Sequence, residues 1–219
     1  MSSTLTTPRV TQLLNELYAD AATNDPLQRQ AAENAGDTEA DFYRAMNKAY
    51  MAVSREFGNL IYSVARTARA QTIVEFGTSF GISTIFLASA LRDNGGGKVI
   101  TTEFDPEKAA RAKKNLTAAG LEDLVEFRVG DALATLRADL PREIDLIFLD
   151  GAKGLYLNVL KLLEPQLRSG GIVASDNTDH DGMETFLAYL RETDNGYTSS
   201  ALLTAATHGA KGHEVSLRH

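Results

Sequence analysis

The sequence predicts an α/β domain built on a mostly parallel seven-stranded sheet, with helices on both faces and an antiparallel strand at the C-terminal end. Three observations carry this. Short, β-rich apolar runs alternate with helical patterns from Thr72 onward, and those runs are near-continuously apolar, as strands covered on both faces require. After Tyr197 the alternation stops, and two strand-like runs follow with no helix between them. With 219 residues, 43% of them hydrophobic, the chain is long enough to close one core of this kind.

Residues 1–50 read as an N-terminal helical extension and 51–219 as the body of the same single domain. The first helix places Val10, Leu13, Leu14 and Leu17 on one face, a stripe that must bury against the body or against another subunit. The stretch from Thr23 to Asp37, with Asn24, Asp25, Pro26 and Gly36, reads as a break after it. Ser54 is placed to cap a second helix, whose Phe57, Leu60, Ile61 and Val64 follow the i, i+3, i+4, i+7 spacing of a core-facing stripe. Five strand candidates follow: TIVEF from Thr72, KVITTE from Lys98, LVEFRV from Leu124, IDLIFLD from Ile144 and GIVASD from Gly171. Asp105 before Pro106 opens one of the intervening helices and Gly120 closes it. YTSSALLT and HEVSLR, linked by small residues, read as a terminal hairpin.

Composition narrows the function. Acidic residues outnumber basic ones by 29 to 22, and the net charge of −7 opposes adhesion to nucleic acid or to an anionic membrane. The absence of cysteine excludes disulfides, thiolate zinc sites and cysteine nucleophiles, so any metal must be held by oxygen or imidazole. No basic and apolar leader opens the chain, and no apolar run approaches the roughly 18 residues of a membrane span. A soluble, cytoplasmic protein acting on small molecules is expected.

The first strand ends in VEFGTSFGIST, where Gly77 and Gly81 flank a turn that opens a helix. Such a turn brings free backbone N–H groups to a ligand at a strand's carboxyl end. Its GxxxG spacing lacks the third glycine of a dinucleotide fingerprint, which disfavours NAD. Taken alone it is equally a tight strand-to-helix connection. Glu103 ends the second strand about twenty residues on, where this architecture places an acid on ribose hydroxyls; an acid beside the Asp105 helix cap is the competing account. Asp131 and Ala132 follow the third strand at the same sheet edge.

With these residues in place, the chain resembles the cation-dependent O-methyltransferases, the group containing catechol and caffeoyl-CoA O-methyltransferases, from about Tyr50 to Arg218. The resemblance implies the Rossmann-like class I methyltransferase fold and S-adenosylmethionine as cofactor. It also implies that Val53 (within MAVSREFG, residues 51–58), Glu75, Gly77, Thr78 and Ser83 surround the methionine part, that Glu103 holds the ribose, and that Asp131 and Ala132 lie by the adenine. Asp150 closes the fourth strand, Lys153 and Tyr156 follow it, and Asp176 and Asn177 close the fifth. Two carboxylates and an amide oxygen make a hard oxygen site suited to Mg²⁺. Asp150, Asp176 and Asn177 match the family's metal ligands, Lys153 its catalytic base, and Asp150 also borders the cofactor. A cation-bound hydroxyl is acidified, and a neighbouring lysine can take its proton.

Individually, Asp176-Asn177 also reads as turn chemistry and Lys153 as a solvated helix lysine. His180 reads as a surface residue, and His208, His213 and His219 have no partner visible in sequence. Gly151 and Ala152 replace larger or acidic residues of relatives, and Val159 replaces a tyrosine. The implied reaction is methyl transfer to a hydroxyl of a catechol-like or other vicinal diol, by a homodimer like bacterial members of the family. The alternatives are a metal-independent methyltransferase, a nicotinamide-dependent oxidoreductase and a non-catalytic cofactor-binding module.

Overall fold

A computed structural model describes residues 3–32, 38–206 and 209–219. Among these residues, seven strands form one sheet: β1 (Thr72–Phe76), β2 (Lys98–Glu103), β3 (Val125–Val129), β4 (Ile144–Leu149), β5 (Leu167–Ser175), β6 (Tyr197–Ala206) and β7 (Gly209–Arg218). Their order is β3-β2-β1-β4-β5-β7-β6. Neighbours from β3 to β5 pair in parallel, and β7 enters antiparallel between β5 and β6. The expected architecture is therefore present, and the terminal hairpin supplies its antiparallel strand. β5 begins at Leu167, four residues before its apolar run starts, because Leu167 already pairs with Ile144.

Among the described residues, eight α-helices cover the sheet: α1 (Pro8–Ala32), α2 (Glu39–Ala45), α3 (Arg55–Thr67), α4 (Ile82–Asp93), α5 (Pro106–Ala119), α6 (Ala132–Thr135), α7 (Tyr156–Leu163) and α8 (Glu184–Arg191). Strand side chains alternate between two cores, as the two-residue period demands. Ile73, Val99, Leu146 and Phe148 pack with α1, α3, α4 and α5 on one face. Val74, Ile100, Ile147 and Leu149 pack with α6, α7 and α8 on the other. Ser54 Oγ accepts the Phe57 N–H at the start of α3, and Asp105 caps α5 with Pro106 in its first turn and Gly120 beyond its end in the left-handed region, φ 74°. Among the described residues no helix is long and apolar enough to cross a membrane.

The expected break at Thr23 is not there. α1 continues through Pro26 to Ala32; Gly36 and Asp37 lie outside the described residues. A proline inside a helix removes one hydrogen bond and costs about 3 kcal/mol. Tertiary contacts made by the same stretch offset that cost: Asp25 accepts two backbone N–H groups and Asn24 donates to the Lys48 carbonyl. Residues that resemble turn chemistry in sequence are here a docking edge for the next loop. The α1 stripe of Val10, Leu14 and Leu17 is buried in this chain's own core, with Leu13 partly buried against it.

Candidate functional site

The carboxyl ends of β1, β2, β3 and β4 open on a cavity of about 570 Å³. Val53, Gly77, Thr78, Ser83, Glu103, Asp131, Ala132 and Asp150 line it, so the structure brings together eight of the nine residues expected around a cofactor. The two glycines serve packing first. A Cβ on Gly77 (φ 101°) would overlap the Asp150 carbonyl at the end of β4, and one on Gly81 (φ 84°) would meet Leu116 of α5 at 2.8 Å. These two glycines allow β1 to approach the end of β4 and α4 to approach α5 beside the cavity. Gly151 is explained similarly, since a Cβ there would run into the Phe76 ring. The small residue that departs from relatives is the one this aromatic neighbour permits.

Glu103 projects into the cavity from the end of β2. Its carboxylate accepts the Ser79 N–H at 2.7 Å and the Asp105 N–H at 2.9 Å. Burial nevertheless raises its pKa above the ordinary value, opposed by those N–H groups and by the ammonium of Lys108. Burial in turn lowers the Lys108 pKa, against the pull of Glu103 and Asp105. Lys108, on the inner face of α5, also lines the cavity; in the sequence it looks like one more lysine of an exposed helix.

Glu75 is the ninth expected residue and lies behind the wall, fully buried. Ser83 Oγ, Thr84 Oγ1 and Thr101 Oγ1 each donate to it at 2.6 Å. Burial raises its pKa and the three hydroxyls oppose the rise. This carboxylate ties the first turn of α4 to β1 and β2, and so fixes Ser83, which does reach the cavity.

At the far end of the cavity, Asp150 meets the second group of expected residues. Lys153 Nζ lies 3.4 Å from Asp150 Oδ1 and donates to Tyr156 Oη at 2.7 Å; Tyr156 in turn donates to the Asp176 carbonyl at 3.1 Å. Asp176 is 2% exposed, and its Oδ1 accepts the N–H of Asn177 at 2.7 Å. Asn177 adopts φ 53°, a left-handed conformation in which Asn is enriched. Burial, reinforced by the charge of Asp176, pushes the Asp150 pKa well up, while Lys153 and Lys211 oppose it. The carboxylates of Asp150 and Asp176 therefore repel each other across this end of the sheet, with the Lys153 ammonium beside Asp150.

His213 was not predictable from its own segment. It is fully buried on β7, stacked on Phe57 with ring centres 3.8 Å apart. Its Nδ1 lies 2.8 Å from Asp176 Oδ1, off the line of a well-formed hydrogen bond, and its Nε2 is 2.7 Å from Thr204 Oγ1. Its only signal was a polar residue at an inward position of a strand. That strand is flanked on both sides, a fact that depends on the tertiary insertion of β7 between β5 and β6. His180 is exposed, as its sequence suggested. His219 contacts Thr198 at the surface, and His208 lies outside the described residues.

Comparison with known proteins agrees with this geometry. A family profile described as a methyltransferase domain matches residues 74–178. The catechol O-methyltransferase of Mycobacterium tuberculosis is 32% identical over 180 residues, covering 76% of this chain and 80% of that protein. That of Niastella koreensis is 36% identical, and the match spans 60% of either chain. Among solved structures, the O-methyltransferase TomG of Streptomyces achromogenes, involved in tomaymycin synthesis and in complex with SAM, superposes with a TM-score of 0.70 at 27% identity, covering 90% of this chain and 96% of that one. The O-methyltransferase of Bacillus cereus, at 23% identity and a TM-score of 0.75, covering 95% of this chain and 91% of that one, shares the fold.

Proposed function

Because this chain belongs to the family of S-adenosylmethionine-dependent O-methyltransferases that includes the catechol enzymes, we propose that it methylates a hydroxyl of a catechol-like or other vicinal diol, assisted by a divalent cation such as Mg²⁺. One observation carries this most directly: Asp150 lines the ligand cavity and also faces Asp176 and Lys153, so one residue joins the cofactor site to the charged site.

The residues present fit both groups. The cavity is of the size that encloses a cofactor. Glu103 would accept the ribose hydroxyls, Asp131 and Ala132 would border the adenine, and Val53, Gly77, Thr78 and Ser83 would surround the methionine end, with Glu75 holding Ser83 in place. When bound, S-adenosylmethionine supplies a methyl group on a positively charged sulfur. For the cation, Asp150, Asp176 and Asn177 would offer hard oxygen donors, and burial, with the neighbouring charge of Asp176 second, raises the Asp150 pKa. When bound there, a divalent cation would orient the diol and acidify one of its hydroxyls.

The chain's own side chains complete the proposal. In its amine form Lys153 would receive the hydroxyl proton on Nζ and so become the ammonium that pairs with Asp150, and Tyr156 holds that nitrogen beside Asp150 through their 2.7 Å hydrogen bond. Tyr156 is anchored to the Asp176 carbonyl, which links the proposed base to the backbone of the second carboxylate. Phe76, Phe80 and Leu155 give the cavity an apolar wall.

A metal-free variant of the same transfer is the second reading, favoured by the ion pair in which Lys153 already meets Asp150 at 3.4 Å. Assay of methyl transfer to a panel of catechols, with and without Mg²⁺, separates the two. The proposal includes action in the cytoplasm and a homodimer. Since the α1 stripe is covered within the chain, a dimer would use another face, and light scattering at micromolar concentration tests its existence.

A further inference from the structure

The Asn24-Asp25 edge of α1 lies directly behind the cavity wall. Asp25 Oδ1 accepts the N–H of Tyr50 and Oδ2 that of Met51, both at 2.8 Å. Asn24 Nδ2 donates to the Lys48 carbonyl at 2.7 Å. From the opposite side, Ser79 Oγ donates to the Tyr50 carbonyl at 2.6 Å, and the N–H of Ser79 is the one that reaches Glu103. The Tyr50–Met51 peptide is therefore gripped at the Met51 N–H by α1 and at the Tyr50 C=O by the glycine turn. Met51 and Ser79, on the two sides of this seam, both take positive φ, 49° and 46°. Residues with a Cβ keep that conformation only where their surroundings over-determine it. Tyr50, Met51, Ala52 and Val53 all line the cavity.

We propose that Asp25 is a positioning residue of the cofactor site. Its carboxylate fixes the Tyr50–Met51 backbone, which sets the wall formed by Met51 to Val53 and, through Ser79, the placement of Glu103. Asp25 touches no ligand itself; it acts through two peptide groups and one hydroxyl. The Tyr50 ring is held in the same way, its hydroxyl shared between Asp20 of α1 and Arg111 of α5, whose guanidinium lies 4.7 Å from the ring centre. α1 thus shapes a binding site although none of its residues lines the cavity.

The proposal rests on the reading of the cavity as an S-adenosylmethionine site, and its test keeps the two apart. S-adenosylhomocysteine is titrated calorimetrically into the full-length wild type, Asp25→Asn and Asp25→Ala, well below each protein's melting temperature, and hydrogen exchange at the Met51 amide is followed in parallel. Asp25→Asn keeps the shape and replaces one acceptor by a donor, so it serves if the alanine variant does not fold. The expected result is affinity lowered about tenfold or more in either variant, with faster exchange at Met51. A lower melting temperature with wild-type affinity would mean a merely structural role and would overturn the proposal. Failure of the wild type to bind would instead overturn the reading of the cavity.

Discussion

Lys153 and Tyr156 stand three residues apart, and the ammonium of the first donates to the hydroxyl of the second at 2.7 Å. Tyr156 is fully buried and donates its own proton to the Asp176 carbonyl, so the lysine is held beside Asp150 by a partner that is itself anchored. Replacing Lys153 by Met should lower the maximal methylation rate by roughly a hundredfold, the usual scale for losing a general base. S-adenosylhomocysteine binding should persist. A rate within a fewfold of wild type would remove Lys153 from the proposed chemistry.

Glu103→Ala should weaken S-adenosylhomocysteine binding by about tenfold or more, since a charge-assisted acceptor for the ribose is lost and the Ser79 and Asp105 N–H groups are left without it. Calorimetry checks this, and equal titrations of wild type and variant would contradict it.

Glu75 gives a prediction in pH. Burial raises its folded-state pKa above the ordinary 4.5, so the folded protein binds this proton more tightly than the unfolded chain. Its linkage contribution is then present at low pH and is lost as pH rises from the ordinary carboxylate value towards the raised one. Glu75→Gln carries no proton to lose. Chemical unfolding across pH 4 to 8 should therefore show the stability difference moving in favour of Glu75→Gln as pH increases, whatever its size at the acidic end. Parallel curves would mean that the folded-state pKa is not raised.

Much of this was legible in the sequence, for a physical reason. β1, β2 and β4 are apolar runs because both their faces are buried, and the acids ending them stand out because nothing in a core calls for Glu103 or Asp150. Three features resisted. Asn24, Asp25 and Pro26 have turn propensities that a helix keeps only when tertiary contacts outweigh them, and those contacts come from residues 48–51. His213 faces Asp176 only because β7 inserts beside β5, and no local pattern encodes which strand becomes flanked on both sides. Lys108 resembles any helix lysine until α5 is laid against the cavity.

Asp176→Ala should remove most cation-dependent turnover while leaving S-adenosylhomocysteine affinity close to wild type, because Glu103, Asp131 and Ala132 lie at the ends of other strands. His213→Leu should have a smaller effect of the same kind, lowering cation affinity by about tenfold or more through loss of the group packed against Asp176. Manganese titration followed by electron paramagnetic resonance measures both. Unchanged manganese affinity in Asp176→Ala would exclude that carboxylate as a ligand.

Cation dependence of catalysis tests the proposed function most directly. Enzyme stripped with EDTA is assayed for transfer of a labelled methyl group from S-adenosylmethionine to a catechol, before and after Mg²⁺ is restored. The expected result is turnover that is lost on stripping and recovered on addition of Mg²⁺, with S-adenosylhomocysteine binding intact throughout. Methylation at the full rate in EDTA would contradict it and leave the metal-free transfer in its place.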